Sequence, residues 1–490
     1  MSGESAPIKL SRNAVIGILI VAFVLVGGIG YLLFTSQGEE EGEGAGDEDE
    51  IFLPFAVHPN EPVTNMSEPN NEPTVAVNPT NPLNIVAGSN DYGTPSGDAW
   101  CGFYASFDGG LTWERGLIPG ADGNRNSPLW RYQGGGDPVL AFAPNGDCYM
   151  AGIAFQRDIK VGNLIKPGTG IFVARSTDGG RSFPQVTMVI QSISLYTTFH
   201  DKEWITVDPT TGDVHVTWTA FNLYGVASSI VHSVSRDNGQ SWSRPIIISE
   251  ILERERQVQG SQVEADLDGT IHVSWIEYDR GTLRYTRSFD GGETFENVRD
   301  LAGVTPLPAS FPEGAYRTPT MCDMAVDNTD GNRSGSVYIA WPDYGSGEGE
   351  IFMVSSVNGG DTFGSPVRVN QDEEGNGADQ FFPATTVGSD GSIQVIFYDK
   401  RDDPDDNTLI SVYFAISVDG GLTFNDFMLS DLNFDGDNSR ANSFIGDYLG
   451  LSSGPGWSIG VWCDTREGDP PDYRSDIWCG IARYLPEEEE

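Results

Sequence analysis

A short turn motif recurs six times along this chain of 490 residues and constrains its fold more than any other feature. Each copy reads Ser-x-Asp-Gly-Gly-x-Thr-aromatic or a close variant, and the third positions are Asp108, Asp178, Asp237, Asp290, Asn358 and Asp419. These positions are 70, 59, 53, 68 and 61 residues apart. Repeats of this length indicate repeated supersecondary units, such as the blades of a β-propeller with insertions.

The residue types of the motif suit a tight turn. The aspartate or asparagine oxygen accepts backbone N–H bonds inside the turn, and glycine supplies the positive φ angles that such a turn needs. The hydroxyl residue closes the turn with a side-chain hydrogen bond, and the aromatic residue packs between sheets. We therefore predict a structural role for the six third-position side chains.

The six copies resemble the Asp-box (BNR) repeat of sialidase-like β-propellers, and this resemblance covers roughly residues 51–485. It implies an all-β fold, a propeller of four-stranded antiparallel blades. It implies less about chemistry, because one fold supports many functions.

The number of blades follows from the strands. Runs with period-two alternation, such as Ile271, Val273 and Trp275, precede each motif and are typical of strands. First strands are predicted at Glu72–Asn78, Asp137–Ala143, Glu203–Asp208, Ser261–Asp266, Pro319–Val326, Phe382–Val387 and Ile445–Leu451. Seven first strands predict seven blades. A six-bladed ring with a C-terminal appendage, the count of true sialidases, is the alternative.

The seventh repeat has a first, a second (Trp457–Cys463) and a third strand (Asp476–Arg483), and then the chain ends. A repeat without a fourth strand has no place for the motif, which explains six motifs in seven repeats. Ile51–Val57 is the expected donor of the missing strand. Pairing the two ends of the chain in this way removes an exposed sheet edge.

An apolar run over residues 14–34 carries no charge and is long enough to cross a membrane as a helix. Lys9 and Arg12 precede it, so the positive-inside rule places residues 1–13 in the cytoplasm and the rest outside the cell. We predict a signal-anchor helix, an acidic linker over 35–50, the propeller over 51–485 and an acidic tail over 486–490. A cleaved signal peptide is the alternative.

The negative charge of the chain argues against polyanionic partners. The formal net charge is −43, which argues against nucleic acid or an anionic lipid surface as the main partner. A salt-rich habitat and a calcium-rich extracellular environment both fit such acidity. Of the five cysteines, Cys463 and Cys479 are predicted to pair across neighbouring strands.

Blade geometry predicts where a site would lie. The start of each first strand and the end of each second strand open on one face, opposite the motif turns. Strand starts such as Glu72-Pro73 and residues 200–204 (His-Asp-Lys-Glu-Trp) lie on this channel face. Convergence of carboxylate, arginine and tyrosine side chains there is the default hypothesis for a binding or active site. The candidates are Asp137, Asp201, Glu203, Arg317, Asp379, Arg401, Asp447, Tyr448 and Arg466. The alternative is that Asp–Arg pairs brace neighbouring loops.

The sialidase resemblance implies more specific chemistry: three arginines on the substrate carboxylate, a Tyr–Glu nucleophile pair and an aspartate acid/base. Arg317-Thr318-Pro319 is similar to the Arg-Ile-Pro signature of sialidases. It differs in having Thr for Ile and in lying in the fifth repeat rather than before the first motif.

One loop predicts a cation site. Asp431, Asn433, Asp435 and Asp437 alternate as in the first half of an EF-hand loop, so calcium is the expected cofactor. No zinc spacing and no glycine-rich phosphate loop before a helix occurs in the sequence, so no organic cofactor is expected.

Three hypotheses about function follow. The first is a membrane-anchored extracellular protein that binds a glycan or surface ligand at the channel face. The second is an exo-sialidase-type glycoside hydrolase or another polysaccharide-degrading enzyme. The third is a structural surface protein that mainly binds calcium.

Overall fold

Seven four-stranded antiparallel sheets make up the body of the protein. The computed structural model describes residues 20–26, 29–35, 55–156, 160–161, 164–165, 168–192, 198–222, 227–249, 257–404, 406–439, 443–468 and 473–484. Within these ranges the sheets follow one another along the chain, and we number them as blades 1 to 7.

The first three blades form in order from continuous segments. Blade 1 consists of Asn70–Val77, Ile85–Asp91, Trp100–Ser106 and Glu114–Leu117. Blade 2 consists of Gly134–Phe142, Cys148–Phe155, Thr169–Ser176 and Gln185–Ser192. Blade 3 consists of Phe199–Val207, Val214–Phe221, Ser228–Ser235 and Ile246–Ile247. A two-stranded ribbon, Lys160–Val161 with Leu164–Ile165, extends from blade 2.

The next three blades have the same plan. Blade 4 consists of Val258–Ala265, Ile271–Glu277, Thr282–Ser288 and Arg299–Gly303. Blade 5 consists of Asp323–Val326, Val337–Asp343, Glu350–Ser356 and Val367–Arg368. Blade 6 consists of Gln380–Val387, Ile393–Asp399, Leu409–Ser417 and Asn425–Met428. A short strand, Phe434–Asp435, also pairs with the third strand of blade 6, and a 3₁₀ turn follows at Gly436–Asn438.

Blade 7 is built from both ends of the chain. Gly450–Gly454, Trp457–Asp464 and Asp476–Tyr484 supply three strands, and Phe55–Val57 pairs antiparallel with the last of them. Glu61–Pro62 pairs with the same strand further along. The predicted closure and the seven-blade count are therefore confirmed, and the six-bladed alternative is wrong.

The first strands are the innermost strands, and each contacts the first strands of the two neighbouring blades around the ring. The second strands of blades 3 to 7 carry a large aromatic residue at an equivalent position, two or three residues before the end of the strand. Trp218, Trp275, Trp341 and Trp462 are almost completely buried there between blades. Burial of such side chains supplies much of the apolar stabilisation of the ring.

The six motif turns share one hydrogen-bond pattern. In the fourth copy, Asp290 accepts the Thr294 backbone N–H at 2.8 Å and the hydroxyls of Ser288 and Thr294 at 2.7 and 2.6 Å. These bonds lower the pKa of Asp290 to about 2, with the Thr294 hydroxyl as the main cause. In the fifth copy Asn358 accepts the Thr362 N–H at 3.0 Å and donates to its hydroxyl at 2.9 Å.

The N-terminal apolar run is described only in part. Ile20–Val26 and Ile29–Thr35 are two antiparallel strands, and the second pairs with Phe55–Val57 through Leu32 and Val57. No helix among the described residues is long and apolar enough to cross a membrane. The helix predicted over 14–34 is thus not seen in its described part. Residues 1–13, 36–50 and 486–490 lie outside the described ranges.

The predicted disulfide is absent. All five cysteines are free and buried. The strand register places Cys479 opposite Val461 and Cys463 opposite Ile477, so the two thiols are offset by one pair along the same face. The sequence spacing suited neighbouring strands, but the register decides which residues are opposite.

Removal of the donated strand should weaken the ring. We expect a chain without residues 1–64 to unfold at lower temperature than one without residues 1–54, because only the former loses the pairing of Phe55–Val57 and the backbone bonds His58 N–Ile481 O (3.0 Å) and Val63 N–Ile477 O (2.8 Å). Each such bond contributes about 1 kcal/mol. Thermal unfolding followed by circular dichroism measures the difference. Equal melting temperatures for the two chains would show that the donated strand is dispensable.

The motif turns should tolerate asparagine but not alanine. We expect Asp290→Asn to change the free energy of unfolding by less than about 0.5 kcal/mol, because Asn358 forms the equivalent turn with an amide. Asp290→Ala removes every acceptor and should cost about 1–2 kcal/mol. Urea unfolding of both variants provides the comparison. An asparagine variant as unstable as the alanine variant would contradict the hydrogen-bond interpretation.

Candidate functional site

The innermost strands share an irregularity at the channel face. The register between first and second strands shifts at Asn71/Thr74, Ala151/Ile153, Asp201/Trp204, Gln259/Gln262 and Phe381/Ala384. The bulged residue has a positive φ in each case, namely 53° at Glu72, 55° at Asp137, 51° at Lys202, 68° at Gly260 and 54° at Phe382. A side chain in this conformation is strained by about 1 kcal/mol or more, and bulges of this kind redirect side chains.

Three of these bulges bring their side chains together. The Lys202 Nζ lies 2.7 Å from Glu72 Oε1, 2.8 Å from Asp137 Oδ2 and 2.7 Å from Asp447 Oδ2. The four residues come from blades 1, 2 and 3 and from the segment before blade 7. We call this set the Lys202 cluster. Its members are nearly inaccessible, with at most 8% of any residue exposed.

Arg317 covers the cluster from the solvent side. It forms a bidentate pair with Asp447, with Nε–Oδ1 at 2.6 Å and Nη2–Oδ2 at 2.5 Å, and its Nη2 lies 4.0 Å from Glu72 Oε1. Its side chain is 56% exposed. The crossover between blades 4 and 5 positions it, since Ala315 N donates to Asp437 Oδ1 at 2.8 Å and Tyr316 stacks on Phe381.

Asn90 connects two blades beneath the cluster. Its Nδ2 donates to Glu72 Oε2 at 2.5 Å, and its Oδ1 accepts the Asp137 backbone N–H at 2.8 Å. The bulged backbone of Asp137 and the carboxyl group of Glu72 are thus held by one amide side chain. The cluster is therefore a preorganised arrangement rather than a set of freely rotating acids.

The surroundings of Glu72 and Asp447 shift the pKa values of these two carboxyl groups in opposite directions. Burial, followed by repulsion from Asp137, raises the pKa of Glu72 well above its usual value. Burial alone would also raise the pKa of Asp447, but Lys202 and Arg317 hold it below its usual value. Opposite shifts in neighbouring carboxyl groups are what an acid/base pair requires.

The pKa values of Lys202 and of its two neighbours in the chain, Asp201 and Glu203, are also shifted. Burial lowers the pKa of Lys202, but Asp137, Asp447 and Glu72 outweigh burial and raise it, so the lysine stays charged. Burial and Asp137 raise the pKa of Asp201 to about 7. Glu203, from the same bulge, has a pKa raised well above its usual value for the same two reasons.

Two predicted arginines lie elsewhere. Arg401 pairs with Asp399 at 2.6 Å and Asp426 at 2.7 Å, and Arg466 pairs with Asp464 at 2.7 Å and with Asp431. Both stack on aromatic rings of their own blade, Tyr413 and Trp478. Blades 1 and 5 have matching pairs, Arg115–Asp91 and Arg368–Glu350. Arg115, Arg401 and Arg466 brace the ends of second strands, as in the Asp–Arg alternative, whereas Arg368 binds the start of a third strand.

The arginine triad of a sialidase is not assembled around the Lys202 cluster by the described arginines. Arg317 is the one that reaches the cluster, and Arg280 is exposed and pairs with Asp300 at 2.8 Å. Asp379, just before blade 6, accepts hydrogen bonds from Gly349 N and Asn407 Nδ2, both at 2.8 Å. Tyr448 adjoins the cluster, with Lys202 Nζ 5.6 Å from its ring, and its hydroxyl donates to Pro138 O at 3.2 Å.

The four residues of the predicted calcium loop do not converge. Asp431 binds Arg466 and accepts the Asn60 N–H at 3.3 Å, Asp435 caps the 3₁₀ turn through Asp437 N, and Asp437 accepts Ala315 N. Asn433 is exposed. In the described part of the chain, no three His, Cys, Asp or Glu side chains are arranged to hold a metal ion.

Glu72 and Lys202 are cluster residues that were not among the nine candidates. A signal for Glu72 exists, because an acid followed by proline recurs at Glu72-Pro73 and Asp137-Pro138 at the start of first strands. Lys202 has no such signal, since a lysine beside two acids is typical of an exposed strand end.

Below the cluster the channel continues toward the motif face. Asp323, at the start of blade 5, is 7% exposed and accepts the Thr385 N–H at 2.5 Å. Burial raises its pKa to about 7, despite this bond. Beyond Trp204, Asp323 and Leu449 the channel widens into a funnel of about 780 Å³ lined by the ends of first strands.

Comparisons with known proteins give structural neighbours and no family. No protein-family model matches the chain, and no curated protein matches it. A protein of unknown function from Dyadobacter fermentans is 13% identical with a TM-score of 0.47, covering 88% of this chain and 99% of its own. An α-L-arabinofuranosidase from Fusarium graminearum is 14% identical with a TM-score of 0.47, covering 74% and 98%. The NanB sialidase from Streptococcus pneumoniae is 12% identical with a TM-score of 0.43, covering 87% and 71%. At this level of likeness, function has to be argued from the site.

The raised pKa of Asp323 should make stability pH-dependent. In the unfolded chain this carboxyl ionises near pH 3.8, whereas in the folded protein it keeps its proton up to about pH 7. Its stabilising contribution is complete below pH 3.8 and is lost as pH rises to about 7, at up to about 1.4 kcal/mol per pH unit. Asp323→Asn does not titrate, so its stability relative to the native protein should increase over this range.

Urea unfolding across this range measures the effect. Glu114→Gln is the matched control, because the Glu114 side chain is 65% exposed, unlike the buried Asp323. Parallel pH curves for Asp323→Asn and the native protein would contradict the buried, protonated state of Asp323.

Proposed function

We propose that the protein is a glycoside hydrolase whose acid/base pair is Glu72 and Asp447. The observation that carries this proposal is the geometry around Lys202. Glu72 Oε1 and Asp447 Oδ2 both lie 2.7 Å from Nζ, so they are at most about 5.4 Å apart. This upper limit is shorter than the spacing of about 6.5–9.5 Å between the carboxyl groups of inverting hydrolases, so the pair fits the closer spacing of hydrolases that retain anomeric configuration.

The opposite pKa shifts assign the roles. Glu72, whose pKa is raised, keeps a proton and donates it to the glycosidic oxygen as that bond breaks. Asp447, whose pKa is lowered, is ionised and attacks or stabilises the sugar carbon that becomes positive. Water then completes the hydrolysis, with Glu72 acting as the base. Lys202 positions both carboxyl groups and keeps Asp447 ionised.

Access to the pair requires one movement. The guanidinium of Arg317 lies over Asp447 and Glu72, and both carboxyl groups are almost completely buried beneath it. The exposed side chain of Arg317 can leave Asp447 without disturbing the bulged strands. We therefore assign Arg317 the role of contacting the substrate when the site opens.

The number of arginines at the site bears on the charge of the substrate. The sialidase resemblance implies three arginines around one carboxylate, and Arg317 is the described arginine that reaches the cluster. A neutral sugar therefore fits the site better than a sialoside. Among the structural neighbours is an arabinofuranosidase, and arabinofuranosides belong in the substrate panel.

A second candidate function is glycan binding without hydrolysis at the same face. It is favoured by the burial of Glu72 and Asp447, at 1% and 3% exposed. In this alternative the Lys202 cluster only fixes the shape of the channel face, and exposed groups such as Arg317 bind the ligand.

We also propose that the apolar run over 14–34 anchors the protein in the cell membrane with the propeller outside. Its support is the sequence: an uncharged run preceded by Lys9 and Arg12 and followed by an acidic stretch. Protease treatment of intact cells producing the full chain tests the topology. Cleavage of the propeller only after cell lysis would contradict it.

Activity of the cluster can be tested directly. We expect the full chain to hydrolyse at least one of a panel of fluorogenic α- and β-glycosides, including arabinofuranosides and sialosides. Glu72→Gln and Asp447→Asn should each lower kcat/KM by about 100-fold or more, because each removes a group that acts on the reacting bond. The basic limb of the pH profile should disappear in Glu72→Gln, because that limb reports loss of the Glu72 proton.

Arg280→Gln is the matched control for Arg317→Gln, since Arg280 is an exposed arginine bound to one aspartate away from the cluster. Arg317→Gln should raise KM, and Arg280→Gln should not. Turnover that survives in both Glu72→Gln and Asp447→Asn would refute the assignment. Saturable glycan binding without turnover by the folded protein would support the second candidate instead.

A further inference from the structure

A small enclosed cavity lies in the channel directly below the Lys202 cluster. Its volume is about 30 Å³, and residues from blades 2 to 6 and from the start of blade 7 line it. A cavity that holds one water needs about 10–15 Å³ measured in this way. The space therefore suits one ion or one to two waters and is too small for a sugar.

Four buried oxygen atoms that belong to residues lining this cavity have no hydrogen-bond partner. They are both carboxyl oxygens of Glu203, the hydroxyl oxygen of Ser261 and Oε1 of Gln262. All three side chains line the cavity and are at most 5% exposed. A buried polar atom without a partner costs about 1–3 kcal/mol, and buried polar atoms in native proteins are almost always satisfied.

The positions of these atoms follow from the bulges. Glu203 comes directly after Lys202 in the bulge of blade 3, and Ser261 comes directly after Gly260 in the equivalent bulge of blade 4. Gln262 is the next residue. Two adjacent blades thus present oxygen atoms at the same level of the channel, through the same backbone irregularity that builds the cluster above.

The chemistry of these oxygen atoms indicates which ion the cavity would bind. A carboxylate, an amide oxygen and a hydroxyl are hard oxygen donors, the ligands that calcium prefers, and calcium completes its coordination with water and backbone oxygens. Lys202 does not satisfy Glu203, because its ammonium already binds three other carboxyl groups. The donor set thus contains one carboxylate and two neutral oxygen ligands.

We propose that this cavity is a calcium site on the propeller axis, with Glu203, Gln262 and Ser261 as its protein ligands. Asp137 and Asp447 also line the cavity, where their carboxylates are paired with the ammonium group of Lys202. The ion ties blade 3 to blade 4 directly under the bulge that carries Lys202, and so stabilises the floor of the cluster. This inference does not depend on hydrolysis.

Calcium binding by the full chain tests the proposal. We expect the melting temperature of the EDTA-treated protein to rise on addition of CaCl₂. In Glu203→Gln this rise should be absent, and calorimetry should show an affinity for calcium that is at least about tenfold weaker. Trp204 lines the same cavity and should sensitise the luminescence of Tb³⁺, a luminescent substitute for Ca²⁺. Tb³⁺ luminescence should be present in the native protein, absent in Trp204→Phe, and displaced by calcium.

Two controls separate this site from others. Glu264→Gln changes a glutamate that lines the wider funnel and not this cavity, so its calcium response should equal that of the native protein. Asp435→Asn, in the loop over 431–437, should also keep the full response. A native protein without a calcium response, or a response retained in Glu203→Gln and lost in Asp435→Asn, would overturn the proposal.

Discussion

The channel face depends on one ammonium group. Lys202 binds Glu72 from blade 1, Asp137 from blade 2 and Asp447 before blade 7, so a single nitrogen connects four consecutive members of the ring. Removing the lysine or its carboxylate partners leaves an uncompensated buried charge, which usually costs several kcal/mol of stability. The strained φ angles of Glu72, Asp137 and Lys202 persist because these contacts, together with the Asn90 bridge, hold each bulge in place.

The strained backbone positions and the charged side chains of the Lys202 cluster lie at the same level of the channel. The bulges occur in first strands of five blades, yet charged residues occupy the bulged position in only three adjacent ones, Glu72, Asp137 and Lys202. Gly260 and Phe382 occupy it elsewhere. The repeat therefore supplies a common backbone position, and variation of one residue per blade makes one side of the channel chemically distinct. Function in such a ring resides in departures from the repeat.

Much of the fold could be predicted from the sequence, because strand alternation and turn chemistry are local signals. The blade count and the closing strand at residues 55–57 followed from counting strands against motifs. The partners of charged residues are not local. Arg401 and Arg466 were candidates by position, but each binds an aspartate two residues earlier in its own blade. Lys202 could not be recognised because its three partners come from positions 130, 65 and 245 residues away. The Cys463–Cys479 disulfide was predicted wrongly because the strand register offsets the two cysteines by two residues.

The composition of blade 7 affects how the ring can form during synthesis. Residues 55–57 are among the first of the propeller to be made, and their partner strand at 476–484 is the last. Blades 1 to 6 each have all their strands in one continuous segment and can fold in order as the chain grows. The ring itself stays open, with unpaired edges, until residues 476–484 have been made. A chain that still lacks them therefore displays an exposed strand edge that proteases and chaperones can recognise, whereas the closed ring conceals it.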